Sequence, residues 1–304
     1  MKRIVIVGLK GGVGATTIAA NLTSALNSID QTAHAVDLTR NNQMRLHFGM
    51  NPNDGDGWAL KVLANQSWRD AAFQNQREVS FVPFGTVTQA QFDEIHHYAQ
   101  QHEQGYADIF QIPKLKSTKK SSYQWQVLLL PPVDQLDESH YPLLAQADRV
   151  FVVVKSDIQS YYALQQNYAY HRLLAFCGED NKPNLLVSQY QPANEMSRDI
   201  LLVLQHEFAQ QRTPVEMHFD MSVAESIAAL TSVVYYAPYC QATQDFHALA
   251  FWCLSQIDHR QWDIDHPEDE KAEPVSMNEF VEREEWEQEF LSNQENQKGS
   301  KTNV

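Results

Sequence analysis

Cysteine and positive charge are scarce in this sequence, and long apolar runs are missing altogether. Three cysteines in 304 residues (Cys177, Cys240 and Cys253), none in a CxxC pair, argue against a disulfide framework or a zinc knuckle. No apolar stretch approaches the ~20 residues needed to cross a bilayer. Lys2 and Arg3 are followed by only Ile4-Val5-Ile6-Val7 before a glycine, too short a run for a signal peptide. Lysine and arginine number 23 against 38 acids, for a net charge of −15. Such a balance repels nucleic acid and anionic lipid at long range, so DNA binding and membrane attachment through a basic helix are not expected. His96, His97 and His102 are expected to be surface histidines rather than a metal site. The expectation is a reduced, cytoplasmic protein, with 43% apolar residues to build its core.

The charge is unevenly placed. From Asp263 to Val304 there are 13 acids and 4 bases, so this stretch carries −9 and the rest −6. We expect one domain over 1–260 and an acidic, disordered tail over 261–304. Within that tail, 277–293 is one candidate helix whose aromatics would suit a partner. Before the tail, short apolar runs alternate with helical-period segments, as in a doubly wound α/β sheet with helices on both faces. Strands are predicted at Arg3–Val7, Ala33–Asp37, Ser80–Pro83, Gln126–Leu130, Arg149–Lys155 and Asn184–Ser188. Helices are predicted at Thr16–Leu26, Ile158–Phe176, Ser197–Gln210, Val223–Leu230 and Thr243–Ile257. The stretch 93–122, with Lys114, Lys116, Lys119 and Lys120, reads as a surface insertion.

The first predicted strand runs into GLKGGVGATT, residues 8–17. A strand, a glycine-rich turn and a helix together present backbone amides to an anion, and the helix dipole adds to the attraction. Gly11, Gly12 and Gly14 permit the close approach this needs, Thr16 stands where a hydroxyl would ligate Mg²⁺, and Thr17 where one would reach a phosphate. The pattern GxxxxGK[ST] nevertheless fails at Leu9 and at Ala15, where the phosphate-binding lysine is missing. A tight turn with no ligand would use the same glycines.

Lys10 alters that balance. Lys10-Gly11-Gly12-Val13-Gly14-Ala15-Thr16-Thr17 resembles the deviant phosphate loop of the ParA/MinD family of dimeric ATPases. The resemblance implies a mostly parallel P-loop sheet, with ATP and Mg²⁺ as cofactors. It makes Lys10 a signature lysine that reaches the partner's nucleotide across a dimer, and Asp37 an acid that organises Mg²⁺ and the attacking water. Gly11 to Thr17 (Val13 and Ala15 included) would hold nucleotide, with Ser188 at the position that reads the base; Thr16 and Asp37 would hold the metal. The chain departs from the pattern at Thr39, where a second acid is expected, and at Leu129, where a metal-holding acid is expected. Losing one charged donor costs about 1.5–3 kcal/mol, so affinity from micromolar to millimolar remains within reach. Hydrolysis should be slow or absent, because a cation at the transferring phosphoryl group is worth roughly 10³–10⁵ in rate.

Gly57-Trp58, Trp68-Arg69-Asp70-Ala71 and Pro83-Phe84-Gly85 narrow the resemblance to the BcsQ (YhjQ) family of ParA/MinD-like proteins of bacterial cellulose biosynthesis, over residues 1–258. Trp58 and Trp68 are expected in the core rather than in a partner groove. The resemblance implies a regulator that acts as a homodimer, or with small regulatory proteins, at the cellulose synthase complex, reaching the inner membrane face only through partners. Two alternatives stay open: a nucleotide-free pseudo-ATPase scaffold, and a DNA-partitioning ATPase, for which the lysines at 114–120 are the only point in favour.

Overall fold

Consecutive branched and aliphatic residues with no polar face, as in Ile4-Val5-Ile6-Val7 and Val150-Phe151-Val152-Val153-Val154, fit only a strand covered on both sides. The computed structural model places both runs on adjacent interior strands of a seven-stranded sheet, with every one of these side chains fully buried. The structure describes residues 1–111, 124–177 and 183–265, with side chains to 256. The four lysines at 114–120, the candidate helix at 277–293 and most of the acidic tail lie outside the described residues.

The strands are β1 (Lys2–Gly8), β2 (Thr32–Asp37), β3 (Phe73–Gln74), β4 (Ser80–Val82), β5 (Gln124–Leu129), β6 (Arg149–Lys155) and β7 (Asn184–Ser188). Their order is β3-β4-β2-β5-β1-β6-β7, and all pairs are parallel except β3 with β4. In β1, Ile6 is in register with Leu129 of β5 and with Phe151 of β6. The predicted doubly wound sheet is therefore observed. Its one unforeseen strand is β3, a two-residue antiparallel edge whose Phe73 is paired with Phe81.

The helices are α1 (Ala15–Ser28), α2 (Trp58–Leu63), α3 (Gln89–Gln101), α4 (Tyr106–Ile109), α5 (Tyr141–Ala145), α6 (Ile158–Gln166), α7 (Tyr168–Cys177), α8 (Glu195–Glu207), α9 (Met221–Ala228), α10 (Val233–Tyr236) and α11 (Gln241–Asp265). Met1–Trp252 form one unit; the described residues from Cys253 onward, the end of α11, fall in a second. None of the described helices is long and apolar enough to cross a membrane.

The single helix expected over Ile158–Phe176 is two. Asn167 leaves the helical conformation, and its side-chain oxygen accepts from the amides of Ala169 (2.8 Å) and Tyr170 (3.3 Å), so it ends α6 and starts α7. The stretch expected as a surface insertion packs inward over its first part. Thr88 and Gln91 form a reciprocal capping box that starts α3. Ile95, Ala99, Tyr106, Ala107 and Phe110 then join the core.

The tryptophans are core residues. Trp58 is fully buried, edge-on to Phe84 and Phe110 with ring centres 4.9 Å away in each case, and Trp68 meets Phe110 at 5.3 Å. The Trp58 indole N–H donates to the Asp37 carbonyl at 2.8 Å, tying this aromatic cluster to the end of β2. The amides of Trp58 and Ala59 donate to the carbonyls of Pro83 and Phe84, which draws Gly57 against Gly85. A Cβ at Gly57 would overlap the backbone N and Cα of Gly85.

Gly57→Ala is accordingly expected to cost roughly 3 kcal/mol, the upper end for overpacking, as backbone rather than a flexible side chain must move. A denaturation midpoint unchanged from that of the parent would contradict this packing. A second expectation concerns acid. His47 is buried in the 3-10 turn Met44–Phe48, and burial pushes its imidazole down to about 4 from 6.5. The native state then binds fewer protons than the unfolded chain between these values. The stability this group contributes is complete above pH 6.5 and is lost as pH falls toward 4. His47→Gln should therefore lose less melting temperature than the parent between pH 7 and 4.5; parallel profiles would refute the assignment.

Candidate functional site

β1 ends at Gly8; the chain leaves it for β2 on one side, whereas it leaves the neighbouring β6 for β7 on the other, and such a reversal is where open α/β sheets form a ligand crevice. The Leu9 amide donates to Val153 of β6 at 2.9 Å, and the chain then turns through Lys10–Gly14 into α1. Gly12 (φ 79°) and Gly14 (φ 92°) hold left-handed conformations that suit glycine. Gly14 caps α1 with no side chain, and no acid stands in the first turn, so the positive end of the helix is uncompensated. The loop is fastened from behind by its carbonyls. The Ser188 hydroxyl donates to the carbonyl of Val13, and Gln189 Nε2 donates to that of Gly12 at 3.0 Å. Both bonds use loop carbonyls and neither uses a loop amide.

Two cavities meet at this loop. One, of about 440 Å³, is lined by the whole loop with Ala15, Thr16 and Thr17, by Thr39, Arg40, Asn41 and Gln43 after β2, and by 129–132 and Gln135 after β5. The other, of about 190 Å³, is mostly apolar and lies between Gly14, Thr17, Ile18 and Ser188 on one side and Met217–Met221, Val223 and Phe246 on the other. Gly14, Thr17 and Gln189 line both.

The larger cavity carries two cations and no carboxylate in its lining. Lys10 Nζ lies 3.4 Å from Asp157 Oδ1 and 3.0 Å from Gln159 Oε1, all partly exposed. Partial burial opposes ionisation of Asp157, but the Ser160 amide and Lys10 together hold its carboxyl below the ordinary range. Arg40 donates to Gln89 Oε1 at 2.6 Å and lies over the Phe92 ring at 4.9 Å. Nothing in the phosphate-loop pattern pointed to Arg40, and only its position just after Asp37 could have flagged it. Gln189 went unnoticed for a similar reason, since glutamine is no part of the motif.

Lys10, Gly11, Gly12, Val13, Gly14, Ala15, Thr16 and Thr17 are thus brought together as expected. Ser188, placed by resemblance at the base, borders the apolar cavity but spends its hydroxyl on the loop. Asp37, expected to organise Mg²⁺ and water, lines neither cavity. Its carboxylate is wholly buried; Oδ1 accepts from the Thr39 amide (2.8 Å) and hydroxyl (2.6 Å), and Oδ2 from the Met44 amide (3.4 Å). Burial pushes this acid up to about 6 in spite of those bonds. Mg²⁺ is normally held by one or two carboxylates besides phosphate oxygens. With Asp37 sealed away, and Thr39 and Leu129 uncharged, Thr16 is the one expected metal ligand that lines the cavity, and the donor set does not fit a carboxylate-held Mg²⁺.

A family model described as cellulose biosynthesis protein BcsQ matches residues 1–254. The chain belongs to the BcsQ family. It is 28% identical over 249 residues to the Escherichia coli (strain K12) cellulose biosynthesis protein BcsQ, covering 81% of this chain and 92% of that one. Among solved structures it is similar to a ParA family ATPase from Chlorobium tepidum TLS (TM-score 0.54, 17% identity, 82% of this chain and 97% of the other). It is similar too to the septum site-determining protein MinD from Pyrococcus horikoshii OT3, complexed with Mg-ADP (TM-score 0.56, 17% identity, 82% and 94%). At these identities the structures establish a shared fold. In this BcsQ-family chain the Gly57-Trp58 and Pro83-Phe84-Gly85 motifs that carried the resemblance serve packing: they join at the Gly57–Gly85 contact and support the end of β2 from below.

Ser188→Ala removes a buried donor from the Val13 carbonyl and is expected to cost about 1–3 kcal/mol. Urea denaturation should show the loss, and hydrogen exchange should quicken at residues 11–14. Unchanged exchange there would mean that the bond does not hold the loop.

Proposed function

We propose that this chain is a nucleotide-gated regulator of the cellulose synthase machinery: ATP occupies the loop, and two copies close over it. The observation that carries the reading is the phosphate loop itself, whose carbonyls at Gly12 and Val13 are tied back, and whose cavity carries only positive charge in a chain of net charge −15. An inherited turn with no anion to hold has no need of that arrangement. The polar cavity would take the phosphates and the adjoining apolar one the base. An adenine nucleotide is favoured by the likeness to a MinD protein complexed with Mg-ADP.

Lys10 is the residue that would connect binding to dimerisation. Its pair with Asp157 is long and partly exposed, and such pairs contribute at most about 1 kcal/mol. Exchanging that partner for a phosphate on a facing copy costs little. Turnover would be slow or absent, because no carboxylate lines the cavity to position water. The protein would then act through its nucleotide-bound shape on small regulatory partners of the synthase complex, in the cytoplasm and at the inner membrane face through those partners. A nucleotide-free scaffold is the second reading, favoured by Ala15, Thr39 and Leu129 standing where charged groups are expected.

Calorimetric titration of ATP, with solution mass measured in parallel, tests the choice. Binding between micromolar and millimolar is expected, with dimer mass appearing on addition of ATP to the parent but not to Lys10→Ala, and with little phosphate released over hours. No heat up to several times the millimolar range, with mass unchanged, would establish the scaffold instead.

A further inference from the structure

The phosphate cavity lacks both the lysine that a P-loop carries after its last glycine and the carboxylates that would hold a divalent cation, yet a triphosphate needs its charge balanced. Arg40 is placed to do so. It lines the cavity opposite the loop, on the turn that follows β2. That turn is fastened at each end. The buried Asp37 carboxylate grips Thr39 through its amide and hydroxyl, and Asn42, itself buried, accepts from the Phe84 amide at 3.1 Å and donates its own amide to Thr39 at 3.0 Å. Arg40 therefore projects from a rigid support.

The partners of Arg40 leave its charge available. Gln89 Oε1 and the Phe92 ring orient the guanidinium and are both uncharged, and among the described residues Arg40 has no carboxylate partner. Lys10, the only other cation of the lining, is already paired with Asp157. A guanidinium held by neutral groups at the wall of a cavity without acids suits bidentate contact with phosphate oxygens. We infer that Arg40 is the phosphate-binding cation of this site, acting in place of the amine that Ala15 lacks and of a carboxylate-held Mg²⁺. The ligand class is a nucleoside polyphosphate bound independently of divalent metal. Asp37 has changed its task accordingly: it positions the turn that presents the arginine.

This inference rests on the nucleotide reading above, and the test separates the two. The full chain, Arg40→Ala and Arg40→Lys are each titrated with ATP in Mg²⁺ and in EDTA, with melting temperature recorded without nucleotide. The parent is expected to bind with comparable affinity in both buffers. Arg40→Ala should weaken binding about 10- to 100-fold in both, as for loss of a charge-assisted contact, while melting like the parent because the side chain is exposed. Arg40→Lys should recover part of the loss. Binding that disappears in EDTA, or that is equal in the parent and Arg40→Ala, overturns the role of Arg40 and leaves the nucleotide reading standing. Absence of binding by the parent in either buffer overturns both.

Discussion

The arrangement at the loop depends on β1 being held along both edges by parallel partners. β5 and β6 pair with it residue for residue, and because the chain leaves β1 for β2 but leaves β6 for β7, in opposite directions along the sheet, a crevice opens where β1 ends. The loop inherits this rigidity: Leu9 is bonded to β6, and the β7 end, through Ser188 and Gln189, holds two loop carbonyls. A glycine-rich segment would otherwise carry a large conformational entropy. Here that freedom is removed by neighbours that bond to its carbonyls.

The two sides of the cavity have diverged differently. On the loop side the backbone machinery is retained and only the side-chain amine is gone. On the far side the acids have been replaced or withdrawn: Leu129 closes the wall, Thr39 bonds to Asp37, and Asp37 itself is buried beneath the turn. A buried carboxyl raised to about 6 is a costly group to keep, and three hydrogen bonds from the turn compensate for it. The consequence is a site whose far wall carries one cation, Arg40, and no acid.

The BcsQ resemblance and the phosphate-loop resemblance concern different physics. The tryptophan and glycine motifs build an aromatic core under β2 and α2, with Trp58 joined to Asp37 through its indole N–H. They touch the site only through the position of the β2 turn. Short strings that carry a resemblance can thus report on packing as readily as on chemistry, and burial distinguishes the two.

Local sequence determined the parts whose causes are local. Uniformly apolar runs located β1, β5 and β6; alternating segments located most of the helices; and Gly12 and Gly14 marked a loop that only glycine adopts readily, while Ala15 and Leu129 announced missing charge. Tertiary structure decided the rest. Asn167 broke a helix that periodicity ran through, by offering its side chain to the next turn. Ile95, Tyr106 and Phe110 drew into the core a stretch whose polar composition read as surface. The burial of Asp37, the loop-facing bond of Ser188 and the place of Arg40 in the cavity wall were likewise outside its reach. Backbone preference is set by a residue and its neighbours in the chain, but the environment of a charge is set by whatever segment packs against it, and that becomes defined only when the sheet has formed.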